Sequence, residues 1–182
     1  MSLPNILTLL RIIAIPLICA LLLMQGETVR LLAFSLFILA AVTDYLDGYL
    51  ARKLDLISPL GRMLDPIADK LLVGALLVAL AYGGSFDSFT IWGALMIMMR
   101  EIAVSGLREF LGPQNIIINA SFIAKTKTTV QLIALAGLII LPIMPALSFV
   151  TWGAFWLATA LTLWSGFEYF AGAWPHLKET QK

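Results

Sequence analysis

The sequence predicts an all-α, polytopic membrane protein of six transmembrane helices, and three observations predict it. Of the 182 residues, 60% are hydrophobic and 13% charged, with a mean hydropathy of +0.95. A soluble domain carries about 25% charged and about 45–50% apolar residues, so this chain holds more apolar surface than one globular core buries. The apolar residues also fall into runs of roughly 20, the length that crosses a ~30 Å hydrocarbon layer at ~1.5 Å per residue. Finally, the cations are segregated. With six spans and both ends on one side, Arg30 alone among the 12 Lys and Arg falls on the other, the pattern of a chain whose termini are both cytoplasmic.

The first span covers about 4–24 and is broken by Gln25-Gly26-Glu27. Its start is not basic and no small-residue cleavage site leads into a soluble domain, so it reads as a retained span rather than a signal peptide. The second runs from Arg30 to about Lys53, and the third over about 60–82, ending at Tyr82-Gly83-Gly84. A fourth over about 88–110 precedes the turn-rich Gly112-Pro113-Gln114-Asn115. The fifth, about 127–142, stops at Pro142, and the sixth, about 147–171, precedes Trp174-Pro175 and a polar tail. No linker, low-complexity tract or internal repeat interrupts residues 1–182, which predicts a single integral membrane domain. The lone Cys19 has no intramolecular disulfide partner. A net charge of +1 gives no basis for nucleic-acid binding.

The chemistry concentrates in Thr43–Lys70, TDYLDGYLARKLDLISPLGRMLDPIADK. On a helix Asp44 and Asp47 share a face, as do Asp65 and Asp69. Spans two and three form an antiparallel pair about the turn at Leu56-Ile57-Ser58-Pro59, so the two carboxylate pairs reach similar depth on the cytoplasmic side. Four anions meeting there repel one another unless cations neutralise them, and oxygen ligands without nearby His or Cys favour Mg²⁺ or Mn²⁺ over zinc. Gly48, Ala51 and Gly61 permit close helix approach or contact of a bulky ligand with the backbone. Arg52, two turns beyond Asp44, is placed to contact a pyrophosphate. The bland alternative, four interfacial charges, lacks four matching cations, and an ionisable side chain within a span costs several kcal/mol to bury.

The pattern D-x-x-D-G-x-x-A-R-x8-G-x-x-x-D-x-x-x-D, made by Asp44, Asp47, Gly48, Ala51, Arg52, Gly61, Asp65 and Asp69 without a departure, resembles the signature of the CDP-alcohol phosphotransferase family. The resemblance implies that family's fold, a bacterial cytoplasmic (inner) membrane setting with the active site cytoplasmic, and a homodimer. It implies a two-metal site held by Asp44, Asp47, Asp65 and Asp69, with Asp69 also the base for the acceptor hydroxyl. It sets Gly48, Arg52, Gly61 and Thr8 against CDP-diacylglycerol. Thr8 and Arg11 are expected to face the site from the first span, although an interfacial cap and anchor accounts for both about equally well.

Three further segments, Pro4–Arg11, Arg100–Glu109 and Ala124–Thr129, are similar to those family members whose acceptor is sn-glycerol 3-phosphate. Arg100, Arg108, Lys125 and Lys127 are the expected binders of its phosphate, since a phosphorylated acceptor needs cations to replace its hydration. Positive-inside anchoring, and for Arg100 an ion pair with Glu101, are the competing accounts of these cations. Inositol phosphate, serine or phosphatidylglycerol as acceptor would use the same chemistry. A small cation transporter fits poorly, because no ionisable group lies deep in the outer halves of the spans. Trp152, Trp156, Trp164, Trp174 and Tyr169 read as span packing or interfacial belt, Met96, Met98 and Met99 as packing, and His176 as a tail residue.

Overall fold

The computed structural model describes the backbone of residues 3–53, 58–112 and 122–179, and their side chains except at 3–4, 45–53, 62, 122–125 and 177–179. These residues form six α-helices and no strand: α1 (Leu3–Leu23), α2 (Glu27–Lys53), α3 (Pro59–Tyr82), α4 (Thr90–Leu111), α5 (Phe122–Ile140) and α6 (Ser148–Glu179), the last preceded by a 3₁₀ turn at Pro145–Leu147. The predicted all-α architecture is therefore the observed one. Among the described residues, Asn5–Leu23, Thr90–Leu111 and Pro145–His176 are long and apolar enough to cross a membrane. α2 and α3 have the length, 27 and 24 residues, but carry charges at Glu27, Arg30, Asp44, Asp65, Asp69 and Lys70. The apolar stretch described in α5, Thr126–Ile140, is shorter. α6 runs on through Pro175, where the sequence predicts a stop. Proline removes one backbone donor, and so near a helix end it leaves only one more carbonyl to be satisfied by other partners.

The chain divides into two compact units, residues 1–87 with 135–148, and residues 88–134 with 149–182. In the first, α1 packs on both α2 and α3. Its buried stripe is Asn5, Thr8, Arg11, Ile15, Ile18 and Leu22, while Leu10, Ile13 and Leu17 are exposed. The stripe follows the three-and-four spacing of one helix face, polar over its first half and apolar over its second. A soluble helix keeps polar groups outward; here the exposed positions are apolar and the polar groups of the first half are buried. Ala33, Phe37 and Ala40 give α2 its buried face, and Ala68, Leu72, Leu76 and Leu80 give α3 its own.

The start of α3 follows from its sequence. Ser58 is extended (φ −99°, ψ 153°), its hydroxyl accepts from the Gly61 N–H at 2.9 Å, and Pro59 occupies the first turn, a side-chain N-cap with proline where no donor is needed. The Ser58 hydroxyl also donates to Asn5 Oδ1 at 2.9 Å, tying the start of α3 to the start of α1. A Cβ on Gly61 would lie 2.9 Å from Asn5 Oδ1 and 3.2 Å from Ser58 Oγ, so glycine is what lets the Asn5 side chain in.

In the second unit, Val104, Leu107 and Leu111 of α4 form a buried cluster with Tyr169 and Ala173 of α6. Nearer the other end of α4, a Cβ on Gly93 would lie 2.6 Å from Phe155 Cε1 and 3.2 Å from Thr159 Oγ1. Gly93→Ala is therefore expected to push the Phe155 ring aside and cost about 1–3 kcal/mol, as overpacked cores do. A lowered midpoint of thermal unfolding in detergent checks this; an unchanged midpoint would show that α4 and α6 separate without cost.

Candidate active site

The polar half of the α1 stripe meets α2 and α3. Thr8 Oγ1 donates to Asp65 Oδ1 at 2.8 Å, and Arg11 Nη1 pairs with Asp44 Oδ1 and, at 3.3 Å, with Asp69 Oδ1. Thr8 and Arg11 are 1% and 2% exposed. The contacts climb in step: Asn5 meets Ser58, Thr8 meets Asp65, Arg11 meets Asp69. Rising together along both helices, they show that α1 and α3 run parallel. Asp69 also lies within hydrogen-bonding reach of Asp44 and interacts electrostatically with Asp65. The Asp69 side chain is 52% exposed, so an incoming molecule can reach it although its counter-ion is sealed inside.

The structure thus brings Asp44, Asp65 and Asp69 together, with Thr8 in their hydrogen-bond network. Of the other residues expected in this site, Gly61 lies at the base of the ladder against Asn5, and Asp47, Gly48 and Arg52 lie outside the described side chains. Among the described residues, which leave out the Asp47 side chain, no three acidic, His or Cys side chains stand in metal-holding geometry. The chemistry of the donors still suits a hard cation. Asp44 and Asp69 share the Arg11 guanidinium while Asp65 takes the Thr8 hydroxyl, which leaves excess negative charge on oxygen ligands, the set that Mg²⁺ and Mn²⁺ prefer.

The second unit holds a separate buried polar cluster. Arg100 Nη1 approaches Glu101 Oε1 at 3.4 Å and its Nη2 donates to Ser165 Oγ at 2.9 Å. Lys127 Nζ pairs with the same Glu101 oxygen. Arg108 Nε donates to the Tyr169 hydroxyl at 2.9 Å, with its guanidinium carbon 4.9 Å from the ring centroid, a cation–π distance. α6 makes room for this: a Cβ on Gly166 would lie 3.0 Å from Arg100 Cγ. Arg100, Arg108 and Lys127 are close enough to act on one another electrostatically, and Glu101 is the carboxylate that Arg100 and Lys127 share. Three of the four cations predicted to act together are therefore together; Lys125 lies outside the described side chains. The predicted Arg100–Glu101 ion pair is present as well, inside the cluster.

Several buried polar groups escape a reading of the sequence. Tyr169, read as packing or belt, is 5% exposed and holds Arg108. Gln131, one turn after Lys127, and Thr162 are buried, and among the described residues their Oε1 and Oγ1 have no hydrogen-bond partner. An amide inside an apolar span was the available signal for Gln131. Asn5 had none, because its role depends on a partner 53 residues away.

The sequence matches the profile of the CDP-alcohol phosphatidyltransferase family over residues 1–164. It is 42% identical over 172 residues to a CDP-diacylglycerol–glycerol-3-phosphate 3-phosphatidyltransferase of Rickettsia bellii, covering 93% of each chain. It is 40% identical over 178 residues to the protein of that name from Rickettsia typhi (93% of this chain and 95% of the relative) and over 192 residues to that from Bacillus subtilis (97% of each). With a match over most of its length, the chain belongs to the CDP-alcohol phosphatidyltransferase family, whose members generally work with a divalent metal.

Proposed function

We propose that the chain transfers the phosphatidyl group of CDP-diacylglycerol to sn-glycerol 3-phosphate, giving phosphatidylglycerol phosphate and CMP. The names borne by its relatives support the reaction. The observation that carries the chemistry is the gathering of three carboxylates, Asp44 and Asp69 on the buried Arg11 and Asp65 beside Asp69 on Thr8. Asp44, Asp47, Asp65 and Asp69 would hold two Mg²⁺ ions, replaceable by Mn²⁺, and bound metal supplies charge neutralisation at the pyrophosphate and at the departing CMP.

The chain's own groups do the rest. Asp69, exposed and aligned by Arg11, accepts the proton of the acceptor hydroxyl. That oxygen forms a bond to the phosphorus bearing diacylglycerol, the anhydride bond to CMP breaks, and CMP leaves with the electron pair. Thr8 keeps Asp65 oriented. Gly48, Arg52 and Gly61 line the nucleotide, and Thr8, buried against Asp65, acts on it through that carboxylate rather than by contact. Arg100, Arg108, Lys125 and Lys127 take the acceptor phosphate, with Glu101 and Tyr169 holding three of the cations in place. Serine brings one carboxylate to such a cluster, a smaller charge than the phosphate of glycerol 3-phosphate. In this reading all six helices span the cytoplasmic (inner) membrane of a bacterium as a single domain, with both termini and the active site cytoplasmic, and the protein acts as a homodimer.

The direct test is CMP release from CDP-diacylglycerol with glycerol 3-phosphate, inositol phosphate, serine or phosphatidylglycerol, each with and without chelator. Release with glycerol 3-phosphate that chelator abolishes is expected; release only with another alcohol overturns the acceptor assignment. Lys127→Ala is expected to raise the KM for glycerol 3-phosphate by about tenfold, the worth of one charge-assisted hydrogen bond, with little change in that for CDP-diacylglycerol. Equal changes in both would remove Lys127 from acceptor binding.

A further inference from the structure

A cleft of about 470 Å³ opens at the far end of the first unit, lined by the end of α1, the turn into α2, the end of α3 and the turn after α5. Ligand sites occupy about 300–1,000 Å³. Asp65 and Tyr82 are 17 positions apart on α3, or roughly 25 Å at the helical rise. The cleft therefore lies close to one hydrocarbon thickness from the carboxylates, at the opposite ends of the same helices.

Its cation is Arg30, the one Lys or Arg that the sequence places at this end. The backbone holds it. After α5, Ile143 N–H donates to the Ile140 carbonyl and Pro142 has no N–H, and the Ile139 carbonyl accepts from Arg30 Nε at 2.9 Å. That bond fixes the guanidinium plane. Among the described residues, no further hydrogen bond or ion pair engages its two Nη groups, although Arg30 lines the cleft. Glu27 stands one turn away at the same rim without pairing with it. Leu23, Met24 and Tyr82 beside the cleft are 51%, 56% and 83% exposed.

We infer that this cleft binds the headgroup of a phospholipid, with the phosphodiester on the Arg30 Nη groups and the acyl chains along the exposed apolar residues of the rim. Arginine offers a fork of donors matched to phosphate oxygens. The apolar rim favours a lipid over free phosphate, which has no use for it. Glu27 favours a singly charged diester over a dianionic monoester, which it repels. The site is distinct from the proposed active site and rests on none of its residues.

Native mass spectrometry of the purified protein with dioleoyl phosphatidylglycerol tests it. Wild-type protein is expected to retain one lipid that Arg30→Gln and Ile143→Trp lose, each by about tenfold in occupancy. The second variant fills the cleft and leaves the Arg30–Ile139 link alone, so a folding defect in the first does not decide the result. Dioleoyl phosphatidic acid is expected to bind more weakly, and millimolar inorganic phosphate not to displace the diester. Equal retention by wild type and both variants overturns the proposal, and so does displacement by inorganic phosphate, which would make this an anion site without a lipid.

Discussion

Asp69→Asn is expected to lower CMP release by at least about 10³-fold, within the range that a positioned general base contributes. The amide keeps the shape of the carboxylate and an oxygen for Arg11, so the ladder from α1 to α3 persists. It cannot take the acceptor's proton, and it removes one negative charge from the set that would hold metal. Because the group is half exposed, its loss alters what meets the substrate more than what packs in the interior. CDP-diacylglycerol binding, measured at equilibrium in detergent, is expected to survive. Turnover near the wild-type rate would remove Asp69 from the role of base.

The second large effect concerns stability. Arg11 is sealed inside the helices and shared by Asp44 and Asp69. Arg11→Met keeps much of the apolar stem and deletes the charge, leaving two carboxylates within reach of each other and no cation between them. Breaking a buried pair from one side costs about 3–5 kcal/mol; the lower end applies here because Asp69 is half exposed. For a chain of this length, that lowers the unfolding midpoint by on the order of 10 °C. The loss is expected in full under chelation and in part with Mg²⁺, so added metal should stabilise the variant more than the wild type. Thermal unfolding in detergent, with chelator and with Mg²⁺, reads both. Equal midpoints for variant and wild type under chelation would show that Arg11 is not the counter-charge.

How far residue order alone could be read differs between the parts of this molecule, and the difference has a physical origin. Helix count and approximate limits follow from apolar run length, which is local. The Asp44–Asp69 signature is also local: it lies in two consecutive helices joined by a short turn, so the spacing of its carboxylates fixes which faces they share. The cations Arg100, Arg108 and Lys127 could be named from composition and position. Whether each was an anchor or a member of a site could not, because both readings put the same residue type at the same depth.

Contacts between distant segments gather these residues. Thr8 and Arg11 reach partners 57 and 58 residues away, and their part in the carboxylate site depends on the phase of α1, which puts them on the stripe that Ile15, Ile18 and Leu22 continue. Arg100 finds Ser165 and Arg108 finds Tyr169, 65 and 61 residues on, so a residue that read as belt aromatic became the support of a guanidinium. Lipid explains the division. An apolar solvent makes spanning segments conspicuous in any order of residues, while the buried polar pairs that distinguish one bundle from another exist only once particular helix faces have met.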